Sequence, residues 1–212
     1  NCYQPNIDNR PKIKVKAKEF YGFQNDNFIY ASFCQPIKIT RNQFNIWMNV
    51  LKLSPNSILW LLDSNNLYKE NLYQYALNKG VSGDRIVFAP KVSFNKHIMR
   101  HTIIDLFLDT FPYNSHTAAS DALWGECPIL TMAGDTFASR VSGSLLTEIG
   151  CPELITYSQE KYFDTAIDLF SNPKKLTKIK EKIIHGKKNS TIFKSKEFCK
   201  NLENIYISLL SG

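Results

Sequence analysis

The sequence predicts an α/β protein: a Rossmann-like parallel sheet with helices on both faces and a helical C-terminal tail. Two observations carry that prediction. Strand-like and helix-like segments alternate along almost the whole chain, which is the pattern of repeated βα units. Within it, residues 105–132, DLFLDTFPYNSHTAASDALWGECPILTM, read as strand, loop, helix and strand, a βαβ unit expected to be parallel and right-handed.

The elements follow in order from local chemistry. Residues 28–34 are aromatic and apolar and read as a buried strand. Thr40 opens a helix as T-x-x-Q with Gln43, and Phe44, Trp47, Met48 and Leu51 fall at i, i+3, i+4 and i+7 to form its core face. Residues 57–62 (SILWLL) give a second strand, 71–79 a helix stopped by Gly80, and 85–88 a third strand. A short helix over 95–101 precedes a fourth strand at 104–108, and the fifth runs over 128–132. A helix over 138–149 ended by Gly150, a short strand at 153–156 and a helix capped at Ser158 complete the sheet region. The chain thus divides into an Asn, Pro and Lys-rich linker (1–19), a Rossmann-like domain (20–172) and C-terminal helices (173–212). It starts at Asn1 with neither an initiator Met nor a signal segment, so a piece of a longer protein is expected.

Composition bounds the function. With 212 residues, 43% apolar content and 14 Phe, the chain can bury a full core. No apolar run approaches the roughly 20 residues of a membrane span. Cys2, Cys34, Cys127, Cys151 and Cys199 are widely spaced and form no C-x-x-C pair, which points to a reducing, cytoplasmic compartment. Cys34 and Cys127 flank predicted strands, where a small apolar residue packs. The net charge of +7 is local: ten Lys between residues 171 and 200 against Glu181 and Glu197 give +8, leaving the remainder at −1. Such a tail can bind nucleic acid or an anionic membrane. It also reads as the solvated face of a helix whose apolar side is Leu176, Ile179 and Ile183.

The chemistry is expected where strand 104–108 runs into the next helix. His116 and Thr117 sit at that helix start, where unpaired backbone N–H groups and the helix dipole favour a phosphate. Asp121 lies one turn deeper on the same face, where its carboxylate can accept ribose hydroxyls. The segment also reads as an ordinary strand-to-helix turn with a surface Asp. Lys38, just past the first strand, is the best cation candidate, with Gln35 in the same loop; a solvent-exposed loop Lys is its plainer reading. His97 and Arg100, spaced i, i+3, can face one groove, the imidazole stacking on a base and the guanidinium donating to its edge. His97 is otherwise an ordinary surface residue, and His101 falls off that face and is structural. G-x-G-x-x-G and G-x-x-x-x-G-K-[ST] are missing, which argues against dinucleotide oxidoreductases and P-loop enzymes. No metal site or G-x-S-x-G is present, so neither a metal cofactor nor hydrolase chemistry is expected.

CQPIKIT, RIVFAP, HIMRHTIIDLFLDT, NSHTAASDALW, GECPILTMAGDTFASRVSGSLLTEIGCPELI and the opening NCYQPN resemble the C-terminal half of the catalytic region of O-linked N-acetylglucosamine transferases, including SPINDLY-like and bacterial members. The resemblance runs to about residue 173. It implies a GT-B fold, two facing Rossmann-like halves with the nucleotide sugar held by the C-terminal one. It implies that Lys38 contacts the diphosphate beside Gln35, that His97 stacks on uracil while Arg100 reads its edge, and that Val92 joins the same set. His116, Thr117 and Ala118 would cradle the phosphates and Asp121 would bind the ribose. Two positions depart from the family: Phe94 stands where a ribose-contacting Lys is expected, and H-T-A-A replaces H-T-T-G, so Ala118 offers only its backbone N–H.

The resemblance therefore implies the UDP-sugar-binding half of an inverting, metal-independent enzyme transferring N-acetylglucosamine to Ser or Thr of proteins. Lys38 would be catalytic, and the protein acceptor would be held by a missing N-terminal half and upstream helical repeats. A nucleotide-sugar-binding module without activity and a transferase using glucose or fucose remain alternatives. Nucleic-acid binding has only the basic tail behind it and is not expected.

Overall fold

The computed structural model describes residues 6–7 and 9–210. Its strands are β1 (Phe28–Ser32), β2 (Ser57–Leu62), β3 (Ile86–Ala89), β4 (Leu106–Leu108), β5 (Ile129–Met132) and β6 (Ile155–Thr156). They form one parallel sheet of order β3-β2-β1-β4-β5-β6. A parallel sheet is covered on both faces, so its strands are nearly continuous apolar runs; β4 and β5 are buried at every position.

The helices are α1 (Arg41–Leu53), α2 (Asn66–Asn78), α3 (Phe94–Arg100), α4 (Thr117–Trp124), α5 (Val141–Glu148), α6 (Gln159–Ser171), α7 (Pro173–Asn189) and α8 (Ser195–Leu210). Strand order runs outward in opposite directions from β1 and β4, and right-handed crossovers then send the helices to opposite faces. Accordingly α1 packs against α6, and α4 against α3, α5 and α7. Fully buried Tyr30, Trp47, Phe107 and Tyr162 anchor the core, each large side chain contributing roughly 1.5–3 kcal/mol.

Several boundaries differ from the expected ones for local reasons. β1 stops at Ser32, so Phe33 and Cys34 leave the strand and enter the loop above it. α2 begins at Asn66, because the Asn65 side chain accepts from the Tyr68 N–H at 2.8 Å and caps an extra turn. The expected helix over 138–149 is a 3₁₀ turn, Phe137–Ser139, capped by Thr136, followed by α5. Gly80 and Gly150 end α2 and α5 as expected, with left-handed φ of 74° and 87°.

The ends of the chain are tied to the sheet. Residues 9–17 carry no regular element, yet the Trp124 indole donates to the Pro11 carbonyl at 2.9 Å. α7 buries Leu176, Ile179 and Ile183. Some of its lysines make specific bonds: Lys180 with Asp105 at 3.2 Å and Lys182 with Glu153 at 2.6 Å. α8 buries no residue. Cys34, Cys127 and Cys151 are buried free thiols and Cys199 is an exposed one. Cys2 and most of the NCYQPN motif lie outside the described residues.

Candidate functional site

The strand order places a crevice above the carboxyl ends of β1 and β4, where the sheet reverses direction and ligands of such folds gather. After β1, Gln35 caps a 3₁₀ turn, Pro36–Lys38, that turns Lys38 back over the crevice. Its ammonium donates to the Asn114 carbonyl at 3.0 Å and lies 3.9 Å from the Tyr113 ring centroid. After β4, buried Asp109 accepts from the Thr110 and Ser115 N–H groups and the Thr131 hydroxyl, at 2.7–2.8 Å. The Ser142 hydroxyl donates to the Ser115 carbonyl at 2.7 Å. The loop before α4 is thereby fixed from below.

His116 caps α4, its ring stacked on Tyr113 at 5.1 Å. Its Nε2 is buried with no hydrogen-bond partner among the described residues. A cleft of about 350 Å³ brings Gln35, Lys38, His116, Thr117 and Ala118 together with Phe33, Cys34 and Tyr113. Partial burial lowers the Lys38 pKa against the pull of Cys34 and Asp109. Burial and then Lys38 lower that of His116. Burial raises that of the Cys34 thiol. The cleft offers a cation, a neutral imidazole and the helix-start N–H groups, a donor-rich surface for an anion.

His97 and Arg100 stand beside this cleft, bonded to each other on one face of α3. Arg100 is 3% exposed. Its Nε donates to His97 Nδ1 at 3.1 Å and its Nη1 to the Pro90 carbonyl at 3.0 Å, and its guanidinium lies 4.2 Å from the Phe33 ring centroid. These bonds turn much of the guanidinium inward, between Phe33, Trp60 and Pro90, while it also lines the neighbouring cavity. Burial pushes the Arg100 pKa down to about 10. Burial, then Arg100, push that of His97 down to about 4. The imidazole is therefore neutral, and accepting at Nδ1 leaves the proton on Nε2. Its 3.7 Å approach to Asp121 Oδ2 is a dipolar contact and not an ion pair. Val92 lies apart from the anion cleft, in a neighbouring apolar cavity of about 410 Å³ with Trp60, Pro90 and Arg100. His101 is fully buried, as expected of a structural residue.

Asp121, expected to accept ribose hydroxyls, has one oxygen already engaged: Arg10 Nη1 bonds its Oδ1 at 2.7 Å, both side chains being less than a tenth exposed. Burial raises the Asp121 pKa and Arg10 opposes the shift. Phe33 and Tyr113 line the cleft and Arg10 holds Asp121, and the sequence singled out none of the three. Tyr113 lay inside the predicted anion segment and was open to recognition, whereas Arg10 sits in the linker-like segment with no local signal. Among the described residues no group of His, Cys, Asp and Glu is arranged to hold a metal.

A doubly wound parallel sheet with a donor-lined crevice at its switch point defines a Rossmann-like domain. The chain belongs to glycosyl transferase family 41, whose model matches residues 6–202. It is 34% identical over 200 residues to the probable UDP-N-acetylglucosamine–peptide N-acetylglucosaminyltransferase SEC of Arabidopsis thaliana, covering 94% of this chain and 20% of that one. To the UDP-N-acetylglucosamine–peptide N-acetylglucosaminyltransferase of Caenorhabditis elegans it is 31% identical over 193 residues, 91% of this chain and 17% of the relative. The chain thus spans about a fifth of the length of these relatives. A mutant O-GlcNAc transferase from Thermobaculum terrenum superposes with a TM-score of 0.80 at 24% identity, over 97% of this chain and 38% of that one. Anabaena HepE, in complex with UDP and glucose, gives 0.62 at 14%, over 85% and 49%. These likenesses show the fold, a Rossmann-like half of a GT-B glycosyltransferase. Among the described residues no helix is long and apolar enough to cross a membrane.

Proposed function

We propose that this chain is the donor-binding half of an inverting, cytoplasmic UDP-sugar:protein O-glycosyltransferase that uses UDP-N-acetylglucosamine. The observation that carries the reading is the cleft gathering Gln35, Lys38, His116, Thr117 and Ala118. The diphosphate sits on the α4 start and Lys38, uracil stacks on His97 near Val92, and ribose meets Asp121. Arg100 orients His97 from behind. A Ser or Thr hydroxyl of the acceptor protein attacks the anomeric carbon from the face opposite the diphosphate, and the bond from that carbon to the β-phosphate oxygen breaks. The charge that grows on the leaving diphosphate meets Lys38 and the helix-start N–H groups, and preorganised donors of this kind supply much of a catalytic effect. The acceptor and the base that takes its proton are held by parts of the enzyme outside this chain. Family membership and the named relatives support the donor class.

The test is titration calorimetry of this chain with UDP, UDP-N-acetylglucosamine, GDP and ADP in excess chelator. UDP and UDP-N-acetylglucosamine bind without turnover, and GDP and ADP bind more weakly. No binding of UDP, or binding lost with the chelator, overturns the reading.

A further inference from the structure

We infer that Arg10 is a positioning residue of the donor site: it holds Asp121 so that one carboxylate oxygen faces the crevice, and so makes the site select ribonucleotides over deoxyribonucleotides. The inference rests on the donor-site reading above. A carboxylate as buried as Asp121 favours its neutral acid unless a cation compensates. Arg10 is that cation, pinning Oδ1 at 2.7 Å. Oδ2 accepts no hydrogen bond from a described residue and lies 3.7 Å from His97 Nε2, next to the ring on which a base would stack. Arg10 is itself held in place. Its guanidinium carbon lies 5.3 Å from the Phe193 ring centroid and 6.0 Å from those of Trp124 and Phe94. Its Nη2 donates to Asn6 Oδ1 at 3.2 Å, and the next residue, Pro11, accepts from the Trp124 indole.

A second observation separates this pair from an ordinary structural ion pair. Arg10 Nε is buried and has no hydrogen-bond partner among the described residues, and buried donors are rarely left so. Asp121 Oδ2 is therefore the atom of the pair left open to a ligand, while the guanidinium behind it stays enclosed by rings. A ribose hydroxyl can donate to that oxygen, whereas a deoxyribose carbon cannot. Arg10 lies against the ring of Phe94, the residue standing where the family resemblance expects a cation, so the positive charge reaches this spot from the N-terminal segment instead.

Dissociation constants for UDP and 2′-deoxy-UDP in wild type, Arg10→Met and Arg10→Lys test this. Met keeps most of the side-chain length, and melting temperature reports folding. The expected result is at least a tenfold preference for UDP in wild type, a ratio near one in Arg10→Met, and partial recovery in Arg10→Lys. Asp121→Asn added to Arg10→Met then lowers the ratio no further. A purely structural role would weaken both nucleotides together and leave the ratio at its wild-type value, and that outcome overturns the inference. If Arg10→Met does not fold, the ratio in Arg10→Lys against Arg10→Gln decides in the same way. Failure of the wild-type chain to bind UDP at all would instead sink the donor-site reading.

Discussion

The two ends of the sheet treat their polar groups in opposite ways. At the amino end, Asp105 accepts from Lys18 at 2.9 Å, from the Ile29 N–H at 3.0 Å and from Lys180 at 3.2 Å, and Lys18 also donates to the Asn27 carbonyl at 2.6 Å. One carboxylate there ties the N-terminal segment, β1, β4 and α7 together with its bonds complete. At the carboxyl end, His116 Nε2 and Arg10 Nε are buried without partners and Asp121 has a free oxygen. Completed polar groups stabilise a fold, and an unpartnered buried one calls for an explanation; others, at His101 Nε2 and Ser190 Oγ, lie away from the crevice. What sets the carboxyl end apart is that its open groups cluster around one crevice together with Lys38, which suits binding, while Asp105 suits stability.

That division can be broken in four ways. The largest effect is expected at Lys38: Lys38→Ala in the parent enzyme should lower single-turnover sugar transfer about 10²–10³-fold, with donor affinity and melting temperature little changed. Near wild-type transfer would return Lys38 to the surface. The next concerns pH, because the binding edge also contains buried neutral His97. Its folded pKa of about 4 lies below the unfolded value, so unfolding takes up a proton and stability falls as pH drops from about 6.5 to 4, by up to about 3 kcal/mol. Asp109 and Asp121, shifted upward by burial, act in the opposite sense near the acid end of that window. The contribution of His97 is therefore read from denaturant melts as wild type minus His97→Gln; a difference independent of pH would contradict the neutral imidazole.

At the amino end, Asp105→Ala should cost about 2 kcal/mol of unfolding free energy and leave UDP affinity intact. A change in affinity without a change in stability would reverse the assignment of the two edges. The smallest effect is expected in the tail. Lys174→Gln with Lys178→Gln should move neither stability nor UDP affinity beyond about 0.5 kcal/mol, whereas Lys180 is excluded because it bonds Asp105. A measurable loss of UDP in the double variant would make the basic helix part of the site.

The sequence revealed the sheet more fully than the site. Strands buried on both faces are apolar at almost every position, so β2, β4 and β5 stood out without knowledge of their neighbours. Lys38 and His116 were legible because each follows directly on a strand, and strand ends converge in parallel sheets. The burial of Arg100 was not: spacing puts it on one helix face with His97, but how deep that face lies depends on Phe33 and Trp60, which arrive from elsewhere in the chain. Still less legible was the bond between Arg10 and Asp121, 111 residues apart, since nothing near Arg10 distinguishes it from a linker residue.

The seam beneath the crevice has a consequence for how the molecule breathes. β1 runs in register with β2 from Phe28–Ser57 to Ser32–Leu61, but meets β4 at Tyr30–Leu106 and Ala31–Phe107. This brief pairing, as short as those of β4 with β5 and β5 with β6, joins the two windings of the sheet, so the β4 side should open before β1 parts from β2. Lys38 comes from one side of the seam and His116 from the other. An anion held between them would act as a clasp across the junction, and bound nucleotide should slow amide exchange along β4 before it does so in β2.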